Sequence, residues 1–78
     1  MYEQIVTILA NQLQINSADI EADTQIVDGL GADSLDIVEI VMTLESEFGI
    51  SVPDEDIETL RTPMDIQQYI MDKTTGEQ

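Results

Sequence analysis

The sequence predicts an all-α fold, a small four-helix bundle with three longer helices, one short third helix and a long loop between the first two helices. Apolar residues recur at spacings of three and four in separate segments, as in amphipathic helices. The alternating segment Ile50-Ser51-Val52 is too short to predict a strand. A chain of 78 residues has room for one core. We therefore expect residues 1–78 to form a single domain.

The first helix is predicted at residues 2–13, where apolar side chains occupy one face and polar side chains mostly the other. Its apolar stripe comprises Tyr2, Ile5, Ile8, Leu9 and Leu13. Residues 14–32 show no sustained periodicity and contain two glycines, which predicts a long loop. Its expected anchors in the core are Ile15, Ile20, Ile26 and Leu30. A loop of this length in a small domain is usually functional.

The second helix is predicted at residues 34–48 because strong start and stop signals flank it. The carboxylate of Asp33 can accept hydrogen bonds from the free amides of the first turn. Asp36 lies three residues on, in the position that completes a capping box. Gly49 is suited to the left-handed conformation in which many helices end.

Two further helices follow, and a proline marks the start of each. Pro53 opens a short third helix at residues 54–60, whose first turn is acidic, as the helix dipole favours. Thr62 caps a fourth helix at residues 63–73, which begins with a proline. The buried stripe of this helix is Ile66, Tyr69 and Ile70. Residues 74–78 are expected to fray.

The composition excludes several classes of function. The formal net charge is −15, with 17 acidic residues against Arg61 and Lys73, and thirteen of the acids lie between Asp19 and Glu58. Such a field repels nucleic acids and anionic membranes and attracts basic protein surfaces or divalent cations. We predict no nucleic-acid binding and assign no metal-ligating residues. The alternative is that the acidic residues form a generic surface that only keeps the protein soluble.

Catalysis and membrane insertion are not expected either. The chain contains no cysteine and no histidine, which removes the commonest nucleophile and general base, so we predict no catalytic residues. No apolar run approaches the roughly 20 residues of a membrane span. The N-terminus lacks the profile of a signal peptide. The expected location is cytoplasmic.

The second helix has two apolar faces. Five residues share the face that must point to the core: Ile37, Ile40, Val41, Leu44 and Phe48. A second group, here called the apolar strip, lies roughly 130–140° away around the helix and comprises Leu35, Val38 and Met42. Carboxylates flank it at Asp36, Glu39, Glu45 and Glu47. The pattern indicates a docking surface, unless the third helix or the long loop covers the strip.

Ser34 occupies the first helical position, where free amides and the helix dipole favour a phosphate. A serine after a helix cap is most often only structural. A hydrolase nucleophile is disfavoured, because the G-x-S-x-G context and an activating histidine are both absent. A covalently modified serine is the better functional interpretation.

The segment from Leu30 to Asp36, which reads Leu-Gly-Ala-Asp-Ser-Leu-Asp, resembles the phosphopantetheine attachment motif of acyl carrier proteins. The similarity continues to residue 55 and, with matching length, charge and helix placement, covers essentially the whole chain. It implies that Ser34, flanked by Asp33 and Leu35, carries a 4′-phosphopantetheine arm transferred from coenzyme A. The arm's thiol would hold acyl groups as thioesters.

The resemblance also implies the partners of a monomeric, non-catalytic carrier in fatty acid biosynthesis. These are a phosphopantetheinyl transferase (holo-acyl-carrier-protein synthase), acyltransferases, ketoacyl synthases and other synthase enzymes with basic surfaces. They would recognise the second helix at Leu35, Asp36, Val38, Glu39, Met42, Glu45 and Glu47.

Two departures from the family pattern leave the pathway open. Gly29 and Ser46 stand where many members have acidic residues, so the recognition side implied by the resemblance carries less charge. A dedicated carrier of polyketide, aminoacyl or other specialised units therefore remains the alternative. An acidic calcium-responsive or nucleic-acid-mimicking module would explain the charge but not the serine motif, and the acids do not follow the Asp-x-Asp-x-Asp-Gly loop pattern.

Overall fold

The computed structural model describes the backbone of residues 1–75 and the side chains of residues 1–74. The helices in this part are α1 (Tyr2–Leu13), α2 (Ser34–Phe48), α3 (Asp54–Ile57) and α4 (Pro63–Thr75), with a 3-10 turn at Ser17–Asp19. Residues 1–75 contain no β-strand. The all-α prediction, with three longer helices and one short third helix, is confirmed. Helix α1 contacts both α2 and α4, so these three form the body of the bundle.

The core is aliphatic and draws on the long loop as well as the helices. Its most deeply buried large side chains are Ile5, Leu9, Ile26, Leu44, Ile66 and Ile70. The predicted apolar stripe of α1 lacks Val6 and Ala10, which are also buried. Ile8, which belongs to the predicted stripe, is only partly buried. Since α1 contacts two helices rather than one, its apolar face is wider than a single stripe. Ile20 and Ile26 anchor the loop as predicted.

The predicted end of the third helix is wrong, because α3 stops at Ile57 instead of residue 60. Beyond it the hydrogen bonds span three residues instead of four: Thr59 N donates to Asp56 O at 3.0 Å, and Leu60 N donates to Ile57 O at 3.1 Å. This tighter winding is of the 3-10 type. It leads the chain to Leu60, which is buried.

Helix α4 is longer than predicted. It continues through residues 74 and 75, and the Thr74 hydroxyl donates to Ile70 O at 3.0 Å. The expected fraying is therefore wrong for Thr74, and residues 76–78 lie outside the described part of the chain. At the other end of α4, Asp65 N donates to Thr62 Oγ1 at 3.1 Å, which confirms the predicted cap.

A side-chain contact ties the short α3 to α4. Tyr69 is partly buried, and its hydroxyl donates to Asp56 Oδ2 at 2.7 Å. Burial and then the hydrogen bond to the Asp56 carboxylate raise the pKa of Tyr69 from 10.0 to about 12. The Lys73 ammonium lies over the tyrosine ring, with Nζ 5.4 Å from its centroid. The hydrogen bond between Tyr69 and Asp56 is the contact that joins α3 to α4, whereas the Lys73–Tyr69 contact lies within α4.

The raised pKa of Tyr69 predicts a loss of stability at high pH. The unfolded chain releases the Tyr69 proton near pH 10 and the folded chain only near pH 12, so the unfolding free energy should fall as pH rises through this interval. Tyr69→Phe removes that contribution. Denaturant melts between pH 9 and 12 should therefore show a steeper decline for the wild type than for the variant. Parallel declines would mean that Tyr69 titrates alike in both states.

Candidate functional site

Ser34 is the first residue of α2, and the capping box holds the chain on either side of it. Asp36 N donates to Asp33 Oδ1 at 2.9 Å, and Asp33 N donates to Asp36 Oδ2 at 3.3 Å. The predicted capping box is thus confirmed. Ser34 itself is exposed to solvent. The arrangement presents a hydroxyl at a helix N-terminus, where the dipole favours negative charge.

We expect Asp33→Ala to lower the unfolding free energy by about 0.5–2 kcal/mol, because the Asp36 amide loses its acceptor. Asp33→Asn is the matched control, since its amide oxygen can accept the same hydrogen bond. Urea denaturation of the three proteins measures the difference. Equal losses in both variants would show that the Asp33 charge, and not the cap, stabilises the start of α2.

The loop before Ser34 follows a tight path that favours glycine at two positions. Gly31 has φ of 77°, in the left-handed region. At Gly29 an added Cβ would lie 2.6 Å from Gln25 O, so any larger residue requires the loop to shift. The sequence alone indicates only that Gly29 stands where many family members have an acidic residue. The structure adds a steric reason, because an acidic side chain does not fit this backbone as it stands.

A groove of about 590 Å³ opens beside Ser34. One wall is the loop, with Val27 and Ala32, and the start of α2 supplies Ile37 and Val38. The rest of the lining comes from α3 and the turn that follows, at Ile57, Glu58, Leu60 and Arg61. The sequence did not predict this part of the lining. The apolar residues Ile57 and Leu60 near the acidic third helix were the available signal, but their position depends on tertiary contacts.

The apolar strip is exposed as predicted. Leu35, Val38 and Met42 are 64%, 47% and 61% exposed, so neither α3 nor the long loop covers them. Val38 also lines the groove, which makes the strip and the groove continuous. An aligned set of exposed apolar side chains next to a groove is characteristic of binding surfaces.

The carboxylates around the strip differ in their surroundings. Glu39 and Glu47 are exposed. Glu45 is partly buried, and its Oε2 accepts a hydrogen bond from Val52 N at 2.8 Å. Asp36 is also partly buried and serves in the capping box. The sequence pattern did not reveal the structural role of Glu45, because its partner is seven residues away across the helix end.

The described part of the chain contains neither a metal-binding cluster nor a membrane-spanning helix. No group of three or more histidine, cysteine, aspartate or glutamate side chains there is arranged to hold a metal ion. None of the helices described is long and apolar enough to cross a membrane.

Comparison with known proteins defines the class to which this fold and site belong. Residues 3–70 match the family described as "Phosphopantetheine attachment site". The chain is 50% identical over 70 residues to "Acyl carrier protein" of Syntrophobacter fumaroxidans, covering 90% of this chain and 86% of that protein. It is 42% identical over 74 residues to "Acyl carrier protein" of Clostridium perfringens, covering 95% and 97% of the two chains. The chain therefore belongs to the acyl carrier protein family.

The cofactor of this family is covalently bound 4′-phosphopantetheine, and the site fits it. An exposed hydroxyl is available at Ser34, at a helix N-terminus that tolerates a phosphate. The adjoining groove has an extended apolar wall that can cover part of a long, thin arm. The structure thus offers an exposed hydroxyl at a helix N-terminus and an apolar groove beside it.

Proposed function

We propose that Ser34 is the residue to which the phosphopantetheine arm is attached. The observation that carries this proposal is the position of the Ser34 hydroxyl, exposed at the capped start of α2 and at the edge of the groove. The chain is an acyl carrier whose arm holds acyl groups for fatty acid synthesis, and the arm supplies the thiol that the sequence lacks. Asp33 and Leu35, on either side of Ser34, have different roles.

Asp33 fixes the backbone on which Ser34 is presented, through its hydrogen bond to the Asp36 amide. Leu35 is exposed beside the serine and offers apolar contact to an enzyme that approaches it. The groove can shelter an apolar group from water, and each methylene buried there would contribute roughly 0.8 kcal/mol. Ile57 and Leu60 form the part of that surface contributed by α3 and the following turn.

We propose that the chain itself catalyses nothing and that partner active sites perform the chemistry. Its sequence offers neither histidine nor cysteine beside Ser34 to activate the hydroxyl. The modifying partner is a phosphopantetheinyl transferase, and acyltransferases and ketoacyl synthases use the loaded carrier. The monomeric state and the cytoplasmic location stay predictions.

These partners dock, in this proposal, on the apolar strip and the carboxylates around it. The exposed Leu35, Val38 and Met42 supply apolar contacts, while Glu39 and Glu47 guide basic surfaces toward them. Asp36 and Glu45 contribute charge but are also occupied by backbone hydrogen bonds. Glu39 is exposed but accepts a hydrogen bond from Gln12 Nε2, so Glu47 responds to partner charge more freely than the other three.

The experiment that tests the carrier function is intact mass spectrometry after incubation with coenzyme A and a phosphopantetheinyl transferase. The protein should gain the mass of one arm and should then accept an acyl group from an acyltransferase. Mass analysis of the carrier purified from its own cells identifies the cargo, which distinguishes fatty acyl groups from polyketide or aminoacyl units. A chain that gains no mass under conditions that modify a control carrier is not an acyl carrier.

Truncation of the strip should weaken transfer without unfolding the carrier. We expect Met42→Ala to reduce kcat/KM for acyl transfer to a ketoacyl synthase by about fivefold or more, the effect of losing roughly 1 kcal/mol at an interface. Met64→Ala is the matched control, because Met64 on α4 is 59% exposed against 61% for Met42. Equal losses in the two variants would place the docking surface elsewhere.

A further inference from the structure

Arg61 is the one basic residue among those that line the groove bordered by Ser34. The chain has only two basic side chains, Arg61 and Lys73, and Arg61 lines the groove. The other ionisable side chains that line it are the carboxylates of Asp28, Asp33 and Glu58. In a chain of net charge −15, one of the two basic residues therefore shares a groove with three acids and with Ser34, the proposed attachment residue.

Backbone hydrogen bonds hold Arg61 near the segment that leads to Ser34. Ile26 N donates to Arg61 O at 2.9 Å, and Ala32 N donates to Ile26 O at 3.2 Å. Two successive hydrogen bonds thus connect Arg61 to Ala32, which lies two residues before the serine. Arg61 N also donates to Asp65 Oδ2 at 3.3 Å. The Arg61 backbone is therefore fixed against the loop that leads to α2.

The Arg61 guanidinium has donors to spare. Its Nε donates to Glu58 O at 3.4 Å, which is long for a hydrogen bond. Within residues 1–74, no carboxylate oxygen lies within 4.0 Å of a guanidinium nitrogen of Arg61, so the side chain forms no ion pair there. A guanidinium carries five N–H donors, so the Nη donors remain available for a ligand. The side chain is exposed and can turn toward the groove.

We infer that the Arg61 guanidinium binds the phosphodiester through which the arm is joined to Ser34. This inference rests on the proposed attachment at Ser34. The phosphodiester adds a negative charge beside Asp33 and Asp28, where like charges oppose it. Guanidinium and phosphate form paired, charge-assisted hydrogen bonds. The other anion that Arg61 could bind is a carboxylate on the cargo, but only some acyl groups carry one. The phosphodiester lies at the groove in every loaded state, because it is attached directly to Ser34.

The test compares the wild type with Arg61→Gln and with Lys73→Gln, each with and without the bare arm. Lys73→Gln is the matched control, because it removes the same charge from a side chain that lies over the Tyr69 ring. Phosphorus NMR reports on the phosphodiester, and nitrogen–proton NMR reports on the guanidinium. We expect the phosphodiester resonance to shift in Arg61→Gln and to keep its wild-type position in Lys73→Gln. The Arg61 Nε–H resonance should move when the arm is attached.

Three outcomes overturn the inference or its premise, and they are distinguishable. Identical phosphodiester resonances in all three loaded proteins would overturn the contact with Arg61 while leaving attachment intact. The Arg61 Nε–H resonance could instead stay unchanged when the bare arm is attached and shift only with a dicarboxylic acyl group. That result would mean that the guanidinium binds a carboxylate on the cargo and not the phosphodiester. Absence of both a mass increase and a protein-bound phosphorus signal would instead refute attachment itself.

Discussion

Replacing Leu44 with alanine should lower the free energy of unfolding by about 2–5 kcal/mol. Leu44 is 1% exposed and lies on the core face of α2, where the helix contacts α1. The substitution removes buried methyl groups and leaves a cavity that a small bundle can only partly close. Because small domains are stable by only about 5–15 kcal/mol, this loss is a large part of the total. Urea denaturation at neutral pH measures it.

The matched control is Met42→Ala, two residues earlier on the same helix. Met42 is 61% exposed, so its truncation should change the unfolding free energy by less than about 1 kcal/mol. Phe48 is also predicted to be a core residue, but it is only partly buried. Phe48→Ala should therefore lower the free energy of unfolding by less than Leu44→Ala. Equal destabilisation by Leu44→Ala and Met42→Ala would mean that the two faces of α2 have been misassigned.

Features that depend on neighbours along the chain were predictable from the sequence. The capping box at Asp33 and Asp36 joins residues three apart, and the end of α2 at Gly49 needs only a positive φ. The separation of core face and apolar strip follows from helical geometry over 15 residues. The position of Ser34 at a helix N-terminus was predictable for the same reason, because the capping residues that define it are its close neighbours in the chain.

Features that depend on contacts between distant segments were not predictable. Val6 and Ala10 are buried because α1 packs against two helices, which a single apolar stripe does not reveal. The groove requires the turn after α3 and the start of α2 to line the same cavity. The structural role of Glu45 requires the backbone of Val52 to turn back toward the helix. No local pattern encodes these arrangements.

Ser34→Ala should abolish modification by a phosphopantetheinyl transferase, because the variant has no hydroxyl to form the phosphodiester. The structure makes this a clean test, since Ser34 is exposed and the cap of α2 is supplied by Asp33 rather than by the serine. Ser46→Ala is the matched control. It removes a hydroxyl from an exposed serine on the same helix, far from the helix start. Both variants should retain the helical circular dichroism of the wild type.

The most direct test of the central claim is the intact mass of these three proteins after the same incubation with coenzyme A and transferase. Attachment at Ser34 predicts that the wild type and Ser46→Ala each gain the mass of one phosphopantetheine arm, while Ser34→Ala gains none. A folded Ser34→Ala variant that still gains the arm would contradict the account, because the attachment residue would then lie elsewhere in the chain.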